Sequence, residues 1–385
     1  MRIPARSRYR AQTMMRLLAA ALCALLFSCG APAGLGDSSS DVRAGGQQQA
    51  TVVVHYPTGW GHRISLRGTG PFTWSRGLDA SWTQNDEWRL TVGLQAPVQL
   101  KPLFDDNTWA IGPNWTLAPG QTLDVWPHFF HGAGSLEVAG HWWSNRLQNA
   151  RSIRVYLPPS YFENAGERFP VVYMQDGQNL FDDAAAFGGV SWNVAFAMDQ
   201  GARDGSIHEA IVVGVDATMG RIPEYTPVPD PQDGGGNADA YLAFLTDELK
   251  PWVDATYRTL PGRDSTAIVG SSLGGLVSAY AGLARHDVFG LLGVMSPSTW
   301  WDNDWIIGQV QSTKGALEKP IKAYVDSGDS GPSNDDVTQT ARLAQAYRDI
   351  GWVQVDYLVQ KGGQHNETYW RQRVPGALSF LLGPR

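Results

Sequence analysis

One Gly-x-Ser-x-Gly pattern occurs in the chain, at Gly270-Ser271-Ser272-Leu273-Gly274, between the apolar run Ala267-Ile268-Val269 and a helical stretch. At a sharp turn from strand to helix the central serine exposes its hydroxyl, and only small residues fit two places away on each side. The helix N-terminus would place the Ser272 hydroxyl and the Leu273 amide at the positive end of the dipole, which suits a developing oxyanion. We therefore predict Ser272 as a nucleophile and Leu273 as an oxyanion donor; the alternative is an inert serine in a glycine-rich turn.

A serine hydroxyl is a weak nucleophile at its ordinary pKa and needs a base held beside it. His365 follows the last predicted strand, residues 353–359, in the segment Gly362-Gly363-Gln364-His365. In an α/β hydrolase the triad follows the chain order Ser, acid, His, so the base comes after the acid. The other seven of the eight histidines precede the candidate acid loop. His365 is therefore the predicted general base.

The carboxylate that orients the base is expected in the loop after the penultimate predicted strand, residues 321–325. This loop begins Asp326-Ser327-Gly328-Asp329. Asp329, at the loop tip beyond the glycine, is the predicted acid. Asp326 is the alternative, although a residue directly after a strand more often braces the turn through hydrogen bonds. Asp335 and Asp336 are more remote candidates.

A second oxyanion donor is expected in the loop after an early strand. The predicted strand 171–174 is followed by Gln175-Asp176-Gly177-Gln178-Asn179. Gly177 permits a sharp backbone turn, which would direct the Gln178 amide into the site. Asp176 is interpreted as a structural carboxylate of this turn.

Strands and helices must alternate to bring these residues together, and beyond residue 140 the sequence shows this alternation. Apolar strand candidates are separated by stretches with apolar residues at spacings of three and four, as in 239–253, 273–284 and 337–350. The pattern predicts an α/β fold with a mostly parallel central sheet covered on both faces. The Gly-x-Ser-x-Gly turn at Ser272 indicates that this is the α/β-hydrolase fold. We expect this catalytic domain over residues 138–385.

Residues 50–137 are predicted to form a small all-β sandwich, because short β-runs there are separated by turn residues. Nine of the 16 tryptophans lie between residues 51 and 143. The segment Trp109-Ala110-Ile111-Gly112-Pro113-Asn114-Trp115 resembles the immunoglobulin-like starch-binding and glycogen-branching-enzyme N-terminal modules. The region is therefore a candidate glycan-binding domain; the alternative is that most of these rings fill the sandwich core.

The first residues are typical of an export leader. Five arginines precede the apolar run 17–27, which is too short to span a bilayer as a helix. Leu26-Phe27-Ser28-Cys29 resembles a bacterial lipoprotein box, whereas Ala31-Pro32-Ala33 fits ordinary signal cleavage. We expect a leader over 1–29, a flexible linker over 30–49, and either a cell-envelope lipoprotein of the outer membrane or a secreted protein. Membrane association is expected only through a lipid anchor at Cys29.

Composition narrows the possible partners and sites. The formal net charge of -7 leaves no excess of lysine and arginine to displace phosphate counterions, so nucleic-acid binding is not expected. Cys23 and Cys29 are the only cysteines, and both lie in the leader. The folded part is therefore expected to have neither a disulfide nor a cysteine-ligated metal site.

Residues 147–383 resemble the esterase D and enterochelin-esterase-like group of α/β-hydrolases. The segments that carry the resemblance are Arg154-Val155-Tyr156-Leu157-Pro158-Pro159, Tyr173-Met174-Gln175-Asp176-Gly177-Gln178-Asn179-Leu180-Phe181, Arg221 with Glu224-Tyr225-Thr226-Pro227, residues 270–275, Ser296-Pro297-Ser298 with Trp300-Trp301, and His365-Asn366-Glu367. The resemblance implies hydrolysis of carboxylic esters by a Ser/Asp/His mechanism without a metal or organic cofactor. Members act on feruloyl or acetyl esters of polysaccharides, siderophore lactones and S-formylglutathione, so the family does not fix the substrate.

The same resemblance implies that Trp300, Trp301 and Arg221 line the substrate cleft. Core packing is the alternative for one of the two tryptophans, and an ion pair with Glu224 is the alternative for Arg221. The leading hypothesis is a cell-envelope esterase that acts on acyl or feruloyl esters of polysaccharides. The other two hypotheses are a siderophore lactone esterase and a non-catalytic glycan-binding surface lipoprotein.

Overall fold

The computed structural model describes residues 46–314, 320–351 and 354–384. The predicted leader, with Cys29 of the lipoprotein box, lies outside these residues, as does most of the predicted linker. The described residues belong to one compact unit that starts at Gly46. Within these three ranges, no helix has both the length and the apolar character needed to cross a membrane.

The N-terminal region consists of two small sheets that enclose one apolar core. Residues 46–130, all of them described, contain the strands β1 (Gln48–His55), β2 (Ile64–Gly68), β3 (Leu78–Asp79), β4 (Ser81–Trp82), β5 (Glu87–Leu94), β6 (Val98–Phe104), β7 (Thr108–Trp109), β8 (Trp115–Leu117) and β9 (Thr122–Val125). One sheet has the order β4-β5-β1-β9 and the other β3-β2-β6-β7, with β8 also paired to β6. Alternate residues of β1, Val52 and Val54, meet Leu66 of β2 and Leu100 of β6 in the core. We call this region the β unit.

An eight-stranded sheet forms the centre of the larger region. The strands described after residue 130 are β10 (Ser135–Ser144), β11 (Asn149–Leu157), β12 (Val171–Gln175), β13 (Ile211–Val215), β14 (Pro229–Asp230), β15 (Gly234–Gly235), β16 (Thr266–Ser272), β17 (Leu291–Pro297), β18 (Lys322–Gly328) and β19 (Gln354–Gln360). The sheet order is β10-β11-β13-β12-β16-β17-β18-β19, and β14 pairs only with β15. The strands from β13 to β19 in this order run parallel, whereas β11 runs antiparallel to both of its neighbours, β13 and β10. The predicted mostly parallel sheet is thus present.

Helices cover both faces of this sheet. They are α1 (Val194–Asp204), α2 (Arg221–Tyr225), α3 (Ala238–Ala243), α4 (Lys250–Thr256), α5 (Leu273–Ala284), α6 (Trp305–Ser312), α7 (Val337–Asp349) and α8 (Glu367–Leu382). A π-helical segment, Phe244–Leu249, joins α3 to α4. Val172 and Met174 of β12 pack in the core with α1 and α8, whereas Val171 and Tyr173 pack in the core with α3, α5 and α7. The apolar residues of β12 therefore point alternately to the two helix layers, as a strand buried on both faces requires.

The domain bounds differ slightly from the predicted ones. Strand β1 begins at Gln48, inside the segment 30–49 predicted as linker. Strand β10 begins at Ser135 and belongs to the eight-stranded sheet, so this sheet starts before the boundary predicted at residue 138.

A buried carboxylate connects the β unit to the larger region. Glu163 accepts hydrogen bonds from the Tyr56 hydroxyl (3.0 Å) and from the backbone amides of Phe129 (2.7 Å), Phe130 (2.8 Å) and His131 (2.6 Å). Burial acts to raise the pKa of Glu163, but these hydrogen bonds outweigh it and hold the pKa below its ordinary value. The ionised Glu163 carboxylate is thus stabilised by hydrogen bonds from the β unit and from His131, the residue that directly follows it.

Candidate active site

Ser272 lies at the sharp turn between β16 and α5. Its φ of 58° is positive, which is strained for a residue with a side chain, and α5 begins at the next residue, Leu273. A Cβ atom at Gly270 would lie 2.5 Å from the Gln175 Oε1 atom and 2.5 Å from the Gly274 carbonyl oxygen. The turn therefore requires glycine at position 270, for the steric reason that the sequence pattern indicates.

The hydroxyl of Ser298 lies beside the predicted nucleophile. The two Oγ atoms of Ser272 and Ser298 are 3.3 Å apart, and the Ser298 amide donates to the Ser272 carbonyl oxygen at 3.0 Å. Ser298 follows the end of β17 and is almost completely buried. Sequence reasoning gave this hydroxyl no role of its own, although it belongs to the Ser-Pro-Ser segment of the family resemblance.

His365 is held by Asp335. The distance from His365 Nδ1 to Asp335 Oδ1 is 2.7 Å, and the Asp335 side chain is completely buried whereas that of His365 is 37% exposed. Burial acts to raise the pKa of Asp335, but hydrogen bonds from His365, Ser296 and Gly328 outweigh it and lower the pKa below its ordinary value. An ionised carboxylate that accepts the Nδ1 proton leaves Nε2 of a neutral imidazole without a proton. Such a nitrogen can accept a proton from a nucleophile.

The structure places Asp335, and not the predicted Asp329, beside the His365 imidazole. The Asp329 carboxylate accepts from the Gly362 amide at 2.6 Å and so braces the loop that precedes His365. Asp326 is buried at the end of β18, where it accepts from the Ser296 amide at 3.0 Å. The segment Pro332–Asp336 is a distorted 3-10 turn with positive φ at four successive residues, and it brings Asp335 to the imidazole.

The positive charge of Arg373, on α8, offsets the negative charges of the two buried carboxylates, Asp326 and Asp335. Its Nη2 atom donates to Ser296 Oγ at 2.6 Å, and its Nε and Nη1 atoms lie 3.4 Å from Asp326 and Asp335, respectively. Ser296 Oγ in turn donates to Asp335 Oδ2 at 2.7 Å. Burial raises the pKa of Asp326 to about 6, although the Arg373 charge opposes this. The ring of Trp370, also on α8, meets the His365 ring edge to face, with centroids 5.1 Å apart.

Gln178 lies in a 3-10 turn, Gly177–Asn179, directly after β12. Its side-chain oxygen accepts from the Ala217 amide at 2.9 Å, which holds the turn against the end of β13. A Cβ atom at Gly177 would lie 2.7 Å from the Gly214 carbonyl carbon, so the close approach of this turn to β13 requires glycine. Gln178 and Ser272 line one cavity, and Leu273 adjoins Ser272. The oxyanion roles of Gln178 and Leu273 stay predictions.

Two cavities flank the predicted nucleophile and base. Their volumes are about 460 and about 420 Å³, and both are lined by Ser272, His365 and Asn366. The first also contains Trp300 and the second also contains Arg221. An ester centred on Ser272 could therefore place one half in each cavity.

The two adjacent tryptophans have different environments. Trp300 is half-exposed and lines the first cavity, as predicted for a cleft residue. Trp301 is 2% exposed, packs in the core and donates its indole N–H to the Val228 carbonyl oxygen at 2.8 Å. The prediction of Trp301 as a cleft residue is therefore wrong, and the alternative of core packing applies to it.

Arg221 lines the second cavity, but its ion-pair partner is not Glu224. Two nitrogens of Arg221 donate to the two carboxylate oxygens of Asp176, each at 2.8 Å. Glu224 instead accepts from the buried Arg151 at 2.9 Å. Asp176 has a positive φ of 55° and anchors this cation, which agrees with its interpretation as a structural carboxylate of the turn.

The fold is that of an α/β-hydrolase. The chain matches the esterase family described as "Putative esterase" over residues 144–381, which is more than half of its length. The protein belongs to this family, and the resemblance of residues 147–383 to a group of esterases is confirmed.

Several relatives have related sequences. YbbA of Bacillus subtilis is 26% identical over 60% of this chain and 93% of its own. An endo-1,4-beta-xylanase/feruloyl esterase of Xylanibacter ruminicola is 27% identical over 60% of this chain and 29% of its own. An iron(III) enterobactin esterase of Escherichia coli O6:H1 is 28% identical over 63% of this chain and 56% of its own. The chain therefore spans less than two thirds of the length of the latter two relatives.

A solved structure extends the likeness beyond the family match. The enterobactin esterase FES of Shigella flexneri, crystallised in the presence of enterobactin, superposes with a TM-score of 0.51 at 19% identity. The superposition covers 83% of this chain and 87% of FES. Because the family match begins at residue 144, this coverage includes part of the β unit. The comparison shows a shared fold.

Proposed function

We propose that the protein is a serine carboxylic-ester hydrolase in which Ser272, His365 and Asp335 form the catalytic triad. The observation that carries this proposal is the 2.7 Å contact between His365 Nδ1 and the buried Asp335 carboxylate, next to two cavities that His365 shares with Ser272. Membership of the esterase family supports ester hydrolysis as the reaction.

The reaction follows from the chemistry of these groups. Ser272 Oγ attacks the ester carbonyl carbon while His365 Nε2 takes its proton, and the ionised Asp335 stabilises the imidazolium. The Leu273 and Gln178 amides hold the oxyanion. Collapse of this intermediate breaks the bond to the alcohol oxygen, which takes the proton from His365. Water then attacks the acyl-enzyme with the same base, releasing the acid and restoring Ser272.

Acyl or feruloyl esters of polysaccharides are the substrate class that we favour. An aromatic wall at Trp300 beside the Asp336 carboxylate suits a sugar, because an indole packs on C–H faces and a carboxylate accepts from hydroxyls. The second cavity combines Phe187 with Arg221 and suits an aromatic acyl group. The feruloyl esterase relative supports this choice. Action at the cell envelope, through the leader and the Cys29 anchor, is part of the same proposal.

A siderophore lactone is the second candidate substrate. The sequence likeness to an iron(III) enterobactin esterase and the structural likeness to FES, which includes part of the β unit, support this candidate. A catecholate lactone would also find a cation at Arg221.

A small ester panel tests the proposal. Purified protein would be assayed on p-nitrophenyl acetate, methyl ferulate, acetylated xylan and a catecholate trilactone, beside Ser272→Ala. Turnover should fall by about 10⁴-fold or more in the variant, because alanine lacks the hydroxyl that forms the acyl-enzyme. Circular dichroism of both proteins checks that the variant is folded. Full activity of Ser272→Ala would refute the assignment of Ser272 as the nucleophile. If the parent protein hydrolyses none of the four esters, the non-catalytic glycan-binding hypothesis would be favoured.

A further inference from the structure

A third cavity lies at the opposite edge of the eight-stranded sheet from Ser272. Its walls include Glu167, which precedes β12, and His208, which precedes β13. Ser272 ends β16 at the other, carboxyl edge of this parallel array, and a strand of five residues, such as β12 or β13, spans about 15 Å. The cavity, of about 400 Å³, is therefore separate from the proposed catalytic site.

The remaining walls of this cavity come from the β unit, so it lies at the junction of the two regions. Trp115 begins β8, and Trp126 follows β9. The regions touch closely beside the cavity. A Cβ atom at Gly205 would lie 2.6 Å from Pro113 Cγ, and one at Gly166 would lie 3.2 Å from a carbon of the Trp126 ring. Such close contact fixes the cavity walls before any ligand binds.

Neighbouring side chains also fix the orientation of one indole. The His55 ring stacks on Trp126, with centroids 4.1 Å apart and planes inclined by 8°. His55 Nε2 is in turn 2.7 Å from the Asp124 carboxylate, which belongs to the cavity wall. A rigid aromatic side chain costs little conformational entropy when a ligand packs on it.

The chemistry of the walls selects a class of ligand. Two indoles offer flat apolar surface, while Asn114, Asp124 and Glu167 offer amide and carboxylate groups. No lysine or arginine occurs among the described residues that line the cavity, and two carboxylates disfavour an anion. Indoles beside hydrogen-bonding amide and carboxylate groups match a pyranose ring, which has C–H faces and an equator of hydroxyls.

We propose that this junction cavity is a binding subsite for a short, neutral oligosaccharide segment. The inference deepens the proposed function, on which the choice of a polysaccharide as the ligand rests. The subsite would hold the polymer at the edge of the sheet remote from the ester. Its volume lies within the range of roughly 300–1,000 Å³ that is usual for small-ligand sites.

Isothermal titration calorimetry tests the subsite without interference from hydrolysis. The Ser272→Ala protein would be titrated with xylotetraose, cellotetraose and maltotetraose. At least one should bind, and Trp115→Ala or Asn114→Arg, added to Ser272→Ala, should weaken it by about tenfold or more. Asn114 is exposed, so the arginine fills the cavity without disturbing the core. Trp60→Ala removes a fully exposed indole outside the cavity and should leave binding unchanged.

The outcomes separate the subsite from the proposed reaction. With Ser272 intact, Trp115→Ala and Asn114→Arg should hydrolyse p-nitrophenyl acetate at the parent rate, because they lie at the other edge of the sheet. Ester turnover without oligosaccharide binding refutes the subsite alone, and binding without turnover refutes the proposed function alone. Oligosaccharide binding that both variants retain also overturns the subsite. Binding of the cation tetramethylammonium when none of the sugars binds does so too, because indoles and carboxylates can also hold a cation.

Discussion

The turn after β16 and the loop after β18 lie at the same edge of one sheet, yet the conformation of the turn can be predicted from its local sequence much better than that of the loop. In the first, Ser272 has a positive φ, and a Cβ atom at Gly270 would meet the backbone of Gly274, four residues away, as well as the Gln175 side chain. In the second, four aspartates occur between residues 326 and 336, and contacts with distant residues distinguish them. Asp335 contacts His365, which lies 30 residues away, and Ser296, which lies 39 residues away. A local steric requirement is visible in sequence, whereas a choice among similar carboxylates depends on the assembled fold.

The sharpest test of this comparison exchanges carboxylates for amides in the acid loop. Asp335→Asn should lower kcat on p-nitrophenyl acetate by about 10³–10⁴-fold, because an amide stabilises the imidazolium poorly and favours the wrong tautomer of His365. Asp329→Asn is the matched control, since its amide oxygen can still accept from the Gly362 amide, and its kcat should change little. The reverse ranking would return the role of acid to Asp329.

Asp326→Asn tests whether the second buried carboxylate of the loop is structural. Burial raises the Asp326 pKa to about 6, so from about pH 4 to 6 the folded protein holds a proton that the unfolded chain has released. The proton favours the folded state at low pH, and this stabilisation is lost as the pH rises through about 6, by at most about 3 kcal/mol. Urea unfolding at about pH 4 and about pH 7 should therefore show a larger loss for the parent than for the variant. An equal loss in both proteins would contradict the raised pKa.

Gly270→Ala tests the steric requirement of the nucleophile turn. The added methyl group meets backbone and buried side-chain atoms, so the free energy of unfolding should fall by about 1–3 kcal/mol. Gly308→Ala in α6 is the matched control, because a Cβ atom there meets nothing within 4 Å, and alanine should be neutral or stabilise by up to about 1 kcal/mol. Urea unfolding measures both. Equal stability of the Gly270→Ala and Gly308→Ala proteins would mean that the turn shifts to make room for the methyl group, so that glycine is not required at position 270.

Trp300→Ala gives the smallest expected effect. Trp300 lines the first cavity, to which the turn at Ser272 and the loop with Asp335 both contribute. Removal of the half-exposed indole should raise KM for acetylated xylan, whose sugar is placed at this ring, by about three- to tenfold, with little change in kcat on p-nitrophenyl acetate. Trp60→Ala serves as the control, since that ring is fully exposed and does not line either active-site cavity. Unchanged KM in Trp300→Ala would remove this tryptophan from the substrate cleft.

Local patterns therefore predicted the α/β architecture and the strand-to-helix turn at Ser272. Chain order placed His365 after the last strand, and the structure brings it to the same cavities as Ser272. The contact of Asp335 with His365 could not be predicted from local patterns or chain order, because the positive φ values that turn Asp335 toward the imidazole leave no periodic signal in the sequence. Asparagine and aspartate at 334–336 are tolerant of such values and are the only local hint.

Neighbouring identical residues mark another limit of sequence reasoning. Trp300 and Trp301 have the same side chain, and only the packing of the chain after β17 decides which of them is buried. Arg221 likewise has a carboxylate three residues away at Glu224, but Arg151 occupies that partner and Asp176 takes Arg221. The closeness of opposite charges in the sequence therefore did not identify the pair of Arg221 with Asp176 or the pair of Arg151 with Glu224.

The Glu163 carboxylate has a consequence for how separable the N-terminal region is. Three consecutive amides, from Phe129 to His131, and the Tyr56 hydroxyl share this single acceptor across the junction. Excising the β unit would remove the Tyr56, Phe129 and Phe130 donors and expose Glu163 to water. An unrelated module that covers Glu163 without matching donors would leave a desolvated, unpaired anion at the junction. We therefore expect an exchanged N-terminal region to be tolerated only where Glu163 keeps matching donors, and we expect heating to melt the two regions in one cooperative transition.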